Sequence, residues 1–199
     1  LERECRNAPQ AEHWFRQALE QAVAPDPGDD PESLEQLALI QSLLGGMLSK
    51  AGSHAEAIHF LRAALDTHER LTRLPLDRPS AREGRAFAEL TLAQALLPLG
   101  QCNEQAELLK SAVEHYDELL QSVAILPHLR QNRAIAIAHV GLLHHLARQN
   151  HDARELVDDA VAEFQFLAEL VLRRQRRIEL HSHPPDLAQT RVLIPCVGL

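Results

Sequence analysis

The feature that most constrains this chain is that it matches itself when slid along by 48 residues. Leu44-Gly45 falls on Leu92-Ala93 and then on Val140-Gly141. Leu61 falls on Leu109 and Val157, and Ala64-Leu65 on Ala112-Val113 and Ala160-Val161. Arg82, Arg85, Ala86 and Ala88 fall on Arg130, Arg133, Ala134 and Ala136, and Ala38 extends the Ala86 and Ala134 column backwards. No gap is needed across three copies. An earlier fragment joins at an offset of 46, where AEHWFRQAL (11–19) shares five of nine residues with AIHFLRAAL (57–65). Self-similarity at a fixed period of this size marks stacked supersecondary units, each unable to bury its apolar face alone.

The units are helical. Leu, Ala, Glu, Gln and Arg dominate, aromatic residues are 4% of the chain, and β-branched runs are nearly absent. Each copy carries two apolar-periodic segments. First helices are predicted at about 32–51, 80–99 and 128–148, and second helices at about 54–74, 102–124 and 152–178. The breaks agree with this phase. PDPGDDPES (25–33) offers Asp30 or Ser33 as a cap, AGS (51–53) and LGQCN (99–103) place Gly at tight turns, and LPLDRPS (74–80) and HSHPPD (181–186) carry prolines. The expected architecture is an all-α solenoid forming one domain over 1–199. Residues 9–22 are a partial repeat, 32–78, 79–126 and 127–178 are repeats one to three, and 179–199 is a further partial repeat whose first helix lies at 187–199. Small residues recur where two helices must approach to about 8–10 Å: Gly45, Ala93 and Gly141 on first helices, and Ala57, Ala153, Ala64, Ala112 and Ala160 on second ones.

This spacing resembles the tetratricopeptide repeat, and LGGMLSKAGSHAEAIHFLRAAL (44–65) carries the resemblance best through Leu44, Gly45, Leu48, Gly52, Ala57, Leu61 and Ala64. The second copy departs at Gln105, where Ala is the rule. The third departs at Arg148, where the turn Gly belongs, and at His144. The period exceeds the usual ~34 residues by about two turns per helix. Long repeats of that kind resemble those of kinesin light chains and of arrays that follow bacterial serine/threonine kinase domains. The resemblance implies a right-handed superhelix with a concave groove lined by first helices. Carried over residue by residue, that groove comprises Leu39, Ser42, Gly46 and Lys50, then Phe87, Leu90, Gln94 and Leu97, then Ile135, Ala138, Leu142 and His145. The lining is mostly apolar, so the resemblance implies an apolar peptide or helix of a partner protein as ligand.

Other chemistry finds little support. A net charge of −8 argues against a non-specific nucleic-acid binder. No apolar stretch approaches the roughly 18 residues of a membrane span. Cys5, Cys102 and Cys196 are odd in number and far apart, which fits a reduced cytoplasmic setting rather than a disulfide framework or zinc module. No metal and no cofactor is expected: the close pairs His54/His59, His144/His145 and His181/His183 lack a diagnostic spacing, and His13 and His59 share one repeat position, which favours packing. No nucleophile elbow, phosphate loop or paired catalytic acid is present, so no catalytic residue is assigned and the chain is read as a non-enzyme.

RRQRR (173–177) sits where the dipole of a long helix favours cations. Arg82, Arg85, Arg130 and Arg133 are expected to pair with acids of the preceding helix, such as Glu69 or Glu118, rather than form a basic ladder. The leading expectation is a protein–protein interaction scaffold. It reads as a piece of a larger bacterial protein, because the chain opens at Leu1 without a Met. The alternatives are a regulatory segment of a serine/threonine kinase or other signalling protein, and a ligand- or peptide-sensing array. Open solenoid ends imply self-association.

Overall fold

The computed structural model describes the backbone of residues 2–23, 28, 30–74, 78–122, 126–147 and 150–182, and the side chains of 9–23, 28, 30–74, 78–122, 126–147 and 154–173. Among these residues the chain is seven α-helices and no strand: α1 (Glu2–Val23), α2 (Pro31–Lys50), α3 (His54–Thr72), α4 (Pro79–Leu96), α5 (Cys102–Ser122), α6 (Pro127–Leu146) and α7 (Asn150–Ser182). Three antiparallel pairs, α2–α3, α4–α5 and α6–α7, stack side by side, with α1 laid on α2. First helices open at 31, 79 and 127 and second helices at 54, 102 and 150, each 48 apart.

Local chemistry sets these boundaries. Pro31, Pro79 and Pro127 each occupy the first turn, where the missing N–H costs nothing and the fixed φ is already helical. The Asp30 carboxylate caps α2, accepting from the Ser33 backbone N–H at 2.9 Å and its hydroxyl at 2.6 Å. At the other end of α2 the Ser53 N–H bonds to Leu48 O and the Gly52 N–H to Ser49 O. That is a Schellman stop, and it needs the φ of +86° that Gly52 adopts without penalty. Three boundaries differ from expectation. α4 ends at Leu96, because Pro98 cannot donate into a helix; one 3₁₀ turn (Leu97–Leu99) follows and closes on Gly100 at φ +68°. α1 extends through Pro9 to Glu2, and α7 runs on to Ser182. The expected helix at 187–199 and the turn residue Arg148 lie outside the described residues.

The core is the seam predicted from small residues. Gly45 sits so close to α3 that an added Cβ would lie 2.6 Å from Leu61 Cγ and 3.1 Å from Ala57 O. Ala57, Ala64, Ala93 and Ala112 are fully buried, as are Leu61 and Leu109. Burying each such Leu contributes roughly 1.5–3 kcal/mol. Two clusters form: Leu44, Leu48, Leu61, Leu92 and Leu96, with Phe15 and Leu19 of α1 against them, and Leu90, Leu109, Tyr116, Leu119 and Leu129. Gln105, where the repeat asks for Ala, is buried with its amide unpartnered.

The shared Arg of the two nonapeptides links successive second helices: Arg16 reaches Glu56, 40 residues on, at 2.6 Å, and Arg62 reaches Glu104, 42 residues on, at 2.8 Å. Both pairs are exposed, so they set register more than stability. The histidines of the same motif lie against their aromatic neighbours, His13 on Trp14 and His59 on Phe60. Arginines at the first-helix starts form ion pairs, one of them with an acid of the preceding helix as expected and two elsewhere. Arg133 bonds Asp117 at 2.5 Å, Arg130 bonds Glu163 of the following helix at 3.0 Å and covers the Phe166 ring, and Arg85 turns along its own helix to Glu89. Glu69 is taken by Arg73, one helical turn away.

Candidate functional site

A cleft of about 460 Å³ opens on the first helices. Its walls are α2 and α4, with His68 of α3 at the back and Asn132 of α6 at one end. The expected groove residues Leu39, Ser42 and Phe87 line it. Leu39 is 52% exposed and Phe87 half-buried. Leu39, Phe87 and Ile135 are one repeat position, so an apolar row crosses α2, α4 and α6.

The remaining expected residues are not gathered here. Leu90 is buried in the core and unavailable to a ligand, because its side of α4 faces α5. Ser42 is buried and donates its hydroxyl to Ala38 O at 2.8 Å, which leaves little to offer a partner. Gly46 packs towards Thr91, and Ile135 lies against the core. Gln94 meets His139 of α6 at 3.3 Å, tying two first helices together. Leu97 falls in the 3₁₀ turn, Ala138 is half-buried, and Lys50, Leu142 and His145 are exposed beyond the cleft.

The floor is apolar, but the rim carries three carboxylates, Glu32, Glu35 and Glu83, and among the described residues no Lys or Arg lines the cleft. Glu35 accepts from Ser80 Oγ at 3.2 Å and from Arg78 at 3.4 Å, and Glu83 meets His128 at 2.9 Å. His68 is 3% exposed, and neither ring nitrogen has a hydrogen-bond partner. Gly84 makes room for it: a Cβ there would stand 2.7 Å from His68 Cε1. Sequence reasoning passed over these residues. The signal was nevertheless periodic, since Gln36, Gly84 and Asn132 share one repeat position, and His68 and Tyr116 share another.

Burial, and secondarily the Arg85 charge, push the His68 imidazole down to about 4 from an ordinary 6.5, against a smaller opposing pull from Glu89. The folded state therefore resists protonation that the unfolded chain accepts. Stability is intact above about pH 6.5 and falls as pH drops towards about 4, by up to about 3 kcal/mol from this group. Glu89, held low by His115, Arg85 and Ser111, loses its contribution in the same direction. His115, raised by its bond to Glu89, favours the fold at low pH and loses that contribution as pH rises. Subtracting the urea stability of His68→Phe from that of wild type across pH 4–7 isolates His68. A positive slope is expected, and a flat difference contradicts the assignment.

One polar cluster on the opposite side invites a catalytic reading and fails it. Glu89, buried on α4, accepts from Arg85 Nε, Ser111 Oγ and His115 Nδ1, each at 3.0 Å. A catalytic triad needs its acid and its hydroxyl on different imidazole nitrogens. Here Ser111 and Glu89 both face Nδ1, and Ser111 stands 3.5 Å off. The cluster instead repeats a structural device: one copy earlier, Thr67 donates to Gln41 at 3.1 Å at the equivalent positions. Among the described residues no three His, Cys, Asp or Glu side chains converge as metal ligands, and no helix is long and apolar enough to cross a membrane. His183 and the side chains of His181, Cys5, Cys196, Ala153 and 174–177 lie outside the described residues.

At the C-terminal side, α7 leaves an apolar face open. Val157 is 43% exposed where Leu61 and Leu109 are fully buried, and Phe164 is 40% exposed where His68 and Tyr116 are buried. In the first two pairs the next first helix, α4 or α6, packs onto the second helix. The expectation of self-association concerns this face.

No family model matches the chain, and no curated protein matches it. Among solved structures, the chain is similar to BtubC (BKLC) from P. vanneervenii, with a TM-score of 0.57 and 20% identity over 81% of this chain and 58% of that one. The chain thus spans less than two thirds of that protein's length. The likeness is one of fold. The chain is an all-α solenoid of stacked helix pairs.

Proposed function

We propose that this chain is a cytoplasmic protein-interaction module of the tetratricopeptide kind, and that it binds a peptide or helical segment of a partner along the first helices. The observation that carries this reading is the pair Leu39 and Phe87, at one repeat position, which leaves Leu39 half in solvent at the mouth of a cleft. Large apolar side chains held open by a rigid scaffold are what a docking segment buries. The scaffold is already ordered by its own seam, so binding loses little conformational entropy in the module itself. No reacting group takes part; the work is presentation of a fixed shape.

Selection from a displayed library of random dodecapeptides tests it. The wild-type chain is expected to enrich peptides, and those peptides lose binding to the double variant Leu39→Asp, Phe87→Asp by at least about a hundredfold. Circular dichroism of that variant stays helical, because neither side chain belongs to a buried core cluster. Unchanged binding by a folded double variant would remove the cleft from the account.

A further inference from the structure

The cleft carries more chemistry than an apolar groove requires, and the surplus specifies a ligand. Glu35 projects from α2 and reaches α4 at Ser80 Oγ, 3.2 Å away. Glu83 follows Ser80 by about one helical turn on the same wall. The two carboxylates therefore line one space together with Glu32, and among the described lining residues none is a Lys or Arg. Behind them sits His68, a buried ring with both nitrogens unpartnered. A polar group left so costs about 1–3 kcal/mol, and the helix spends a further concession, Gly84, on making space for it. Nothing in the repeat demands this arrangement. The equivalent pair one copy later is Tyr116 beside Asn132.

We propose that the cleft takes a lysine or arginine side chain of the bound segment, its N–H donors shared between Glu35 and Glu83 in front of the buried His68 ring, with the segment's apolar neighbours on Leu39 and Phe87. This rests on the reading that the cleft holds a peptide. Cationic side chains offer several donors and no acceptor, the complement of a rim built from carboxylates. Their methylene stems suit an apolar floor, and the Phe87 face adds attraction for the charge. An acidic segment meets like charge on three sides and is rejected. Arg78 engages Glu35 only at 3.4 Å and the His128 ring is half exposed, so both can be displaced by an incoming cation.

The test uses the peptides enriched by the wild-type chain. They are expected to carry Lys or Arg beside apolar residues. Binding is expected to weaken about tenfold in the double variant Glu35→Gln, Glu83→Gln. Replacing the peptide's cation by Gln should abolish the difference between the wild-type chain and this variant. Glu83→Lys should turn the selection towards acidic peptides. Neutral or acidic peptides that bind the Glu35→Gln, Glu83→Gln variant as tightly as wild type, yet are lost in Leu39→Asp, Phe87→Asp, overturn this proposal and leave the peptide reading standing. Failure to enrich any peptide overturns both.

Discussion

Tyr116→Ala is expected to destabilise the fold by about 3–5 kcal/mol, the largest loss among single truncations in this chain. Tyr116 is the largest of the fully buried side chains and stands in the cluster that joins α4, α5 and α6. Leu109, Leu119 and Leu129 close around it, and because α4 and α6 are both held there, little can collapse into the hole. The control is Tyr116→Phe, which keeps the ring. The hydroxyl is buried beside Asn132, and desolvation drives its ionisation far up, so it serves as a neutral group in the core. Removing it should change stability by less than about 1 kcal/mol. Urea denaturation of the three proteins at neutral pH reads both numbers. A loss under 1 kcal/mol for Tyr116→Ala would mean that the second and third pairs are not packed as described.

Gly45→Leu is expected to cost about 3 kcal/mol, at the upper end of overpacking. The first atom of any side chain at this position already stands 2.6 Å from Leu61 Cγ and 3.1 Å from the Ala57 carbonyl. Leu61 is fully buried and cannot swing aside, and a helix backbone does not yield cheaply. The neighbouring glycine behaves differently. A Cβ on Gly46 meets only Thr91 Cγ2 at 3.3 Å. Ala there gains about 1 kcal/mol of helix propensity, against a contact that a few tenths of an ångström relieves. Gly46→Ala is therefore expected to stay within about 1 kcal/mol of wild type. Opposite outcomes at adjacent residues separate close backbone approach from a general dislike of substitution in α2. Equal losses at the two positions would contradict the seam.

What was legible in the sequence is what the repeat makes redundant. Leu61 and Leu109, or Ala64 and Ala112, say the same thing twice, and both pairs are buried as the period requires. The helix starts were more legible than the reading used: Pro31, Pro79 and Pro127 stand at 48-residue intervals and open all three first helices. The site was harder to see, because binding surfaces arise where copies diverge. Gly84 and His68 matter through what they replace, and the register in which α3 packs on α4 is needed to bring them together. Of the groove positions carried over by resemblance, Leu39 and Phe87 line the cleft, whereas Leu90 is buried in the core. A helix longer than the usual repeat turns its later residues onto different neighbours, so fixed offsets drift. The partners of the arginines were legible in part: Arg133 pairs with Asp117 of the preceding helix, whereas Arg130 and Arg85 turn to Glu163 and Glu89. Long side chains reach several acids, and Arg85 prefers Glu89 on its own helix because that carboxylate is already buried with Ser111 and His115.

The most direct test of the central claim is a crystal structure of this chain overlaid on itself after a shift of 48 residues. The account predicts that α2–α3 superimposes on α4–α5, and α4–α5 on α6 with the start of α7, without an inserted or deleted residue. It also predicts that Leu39 and Phe87 both open onto the cleft. Pairs that overlay only in another register, or either of these side chains turned into the core, would contradict it.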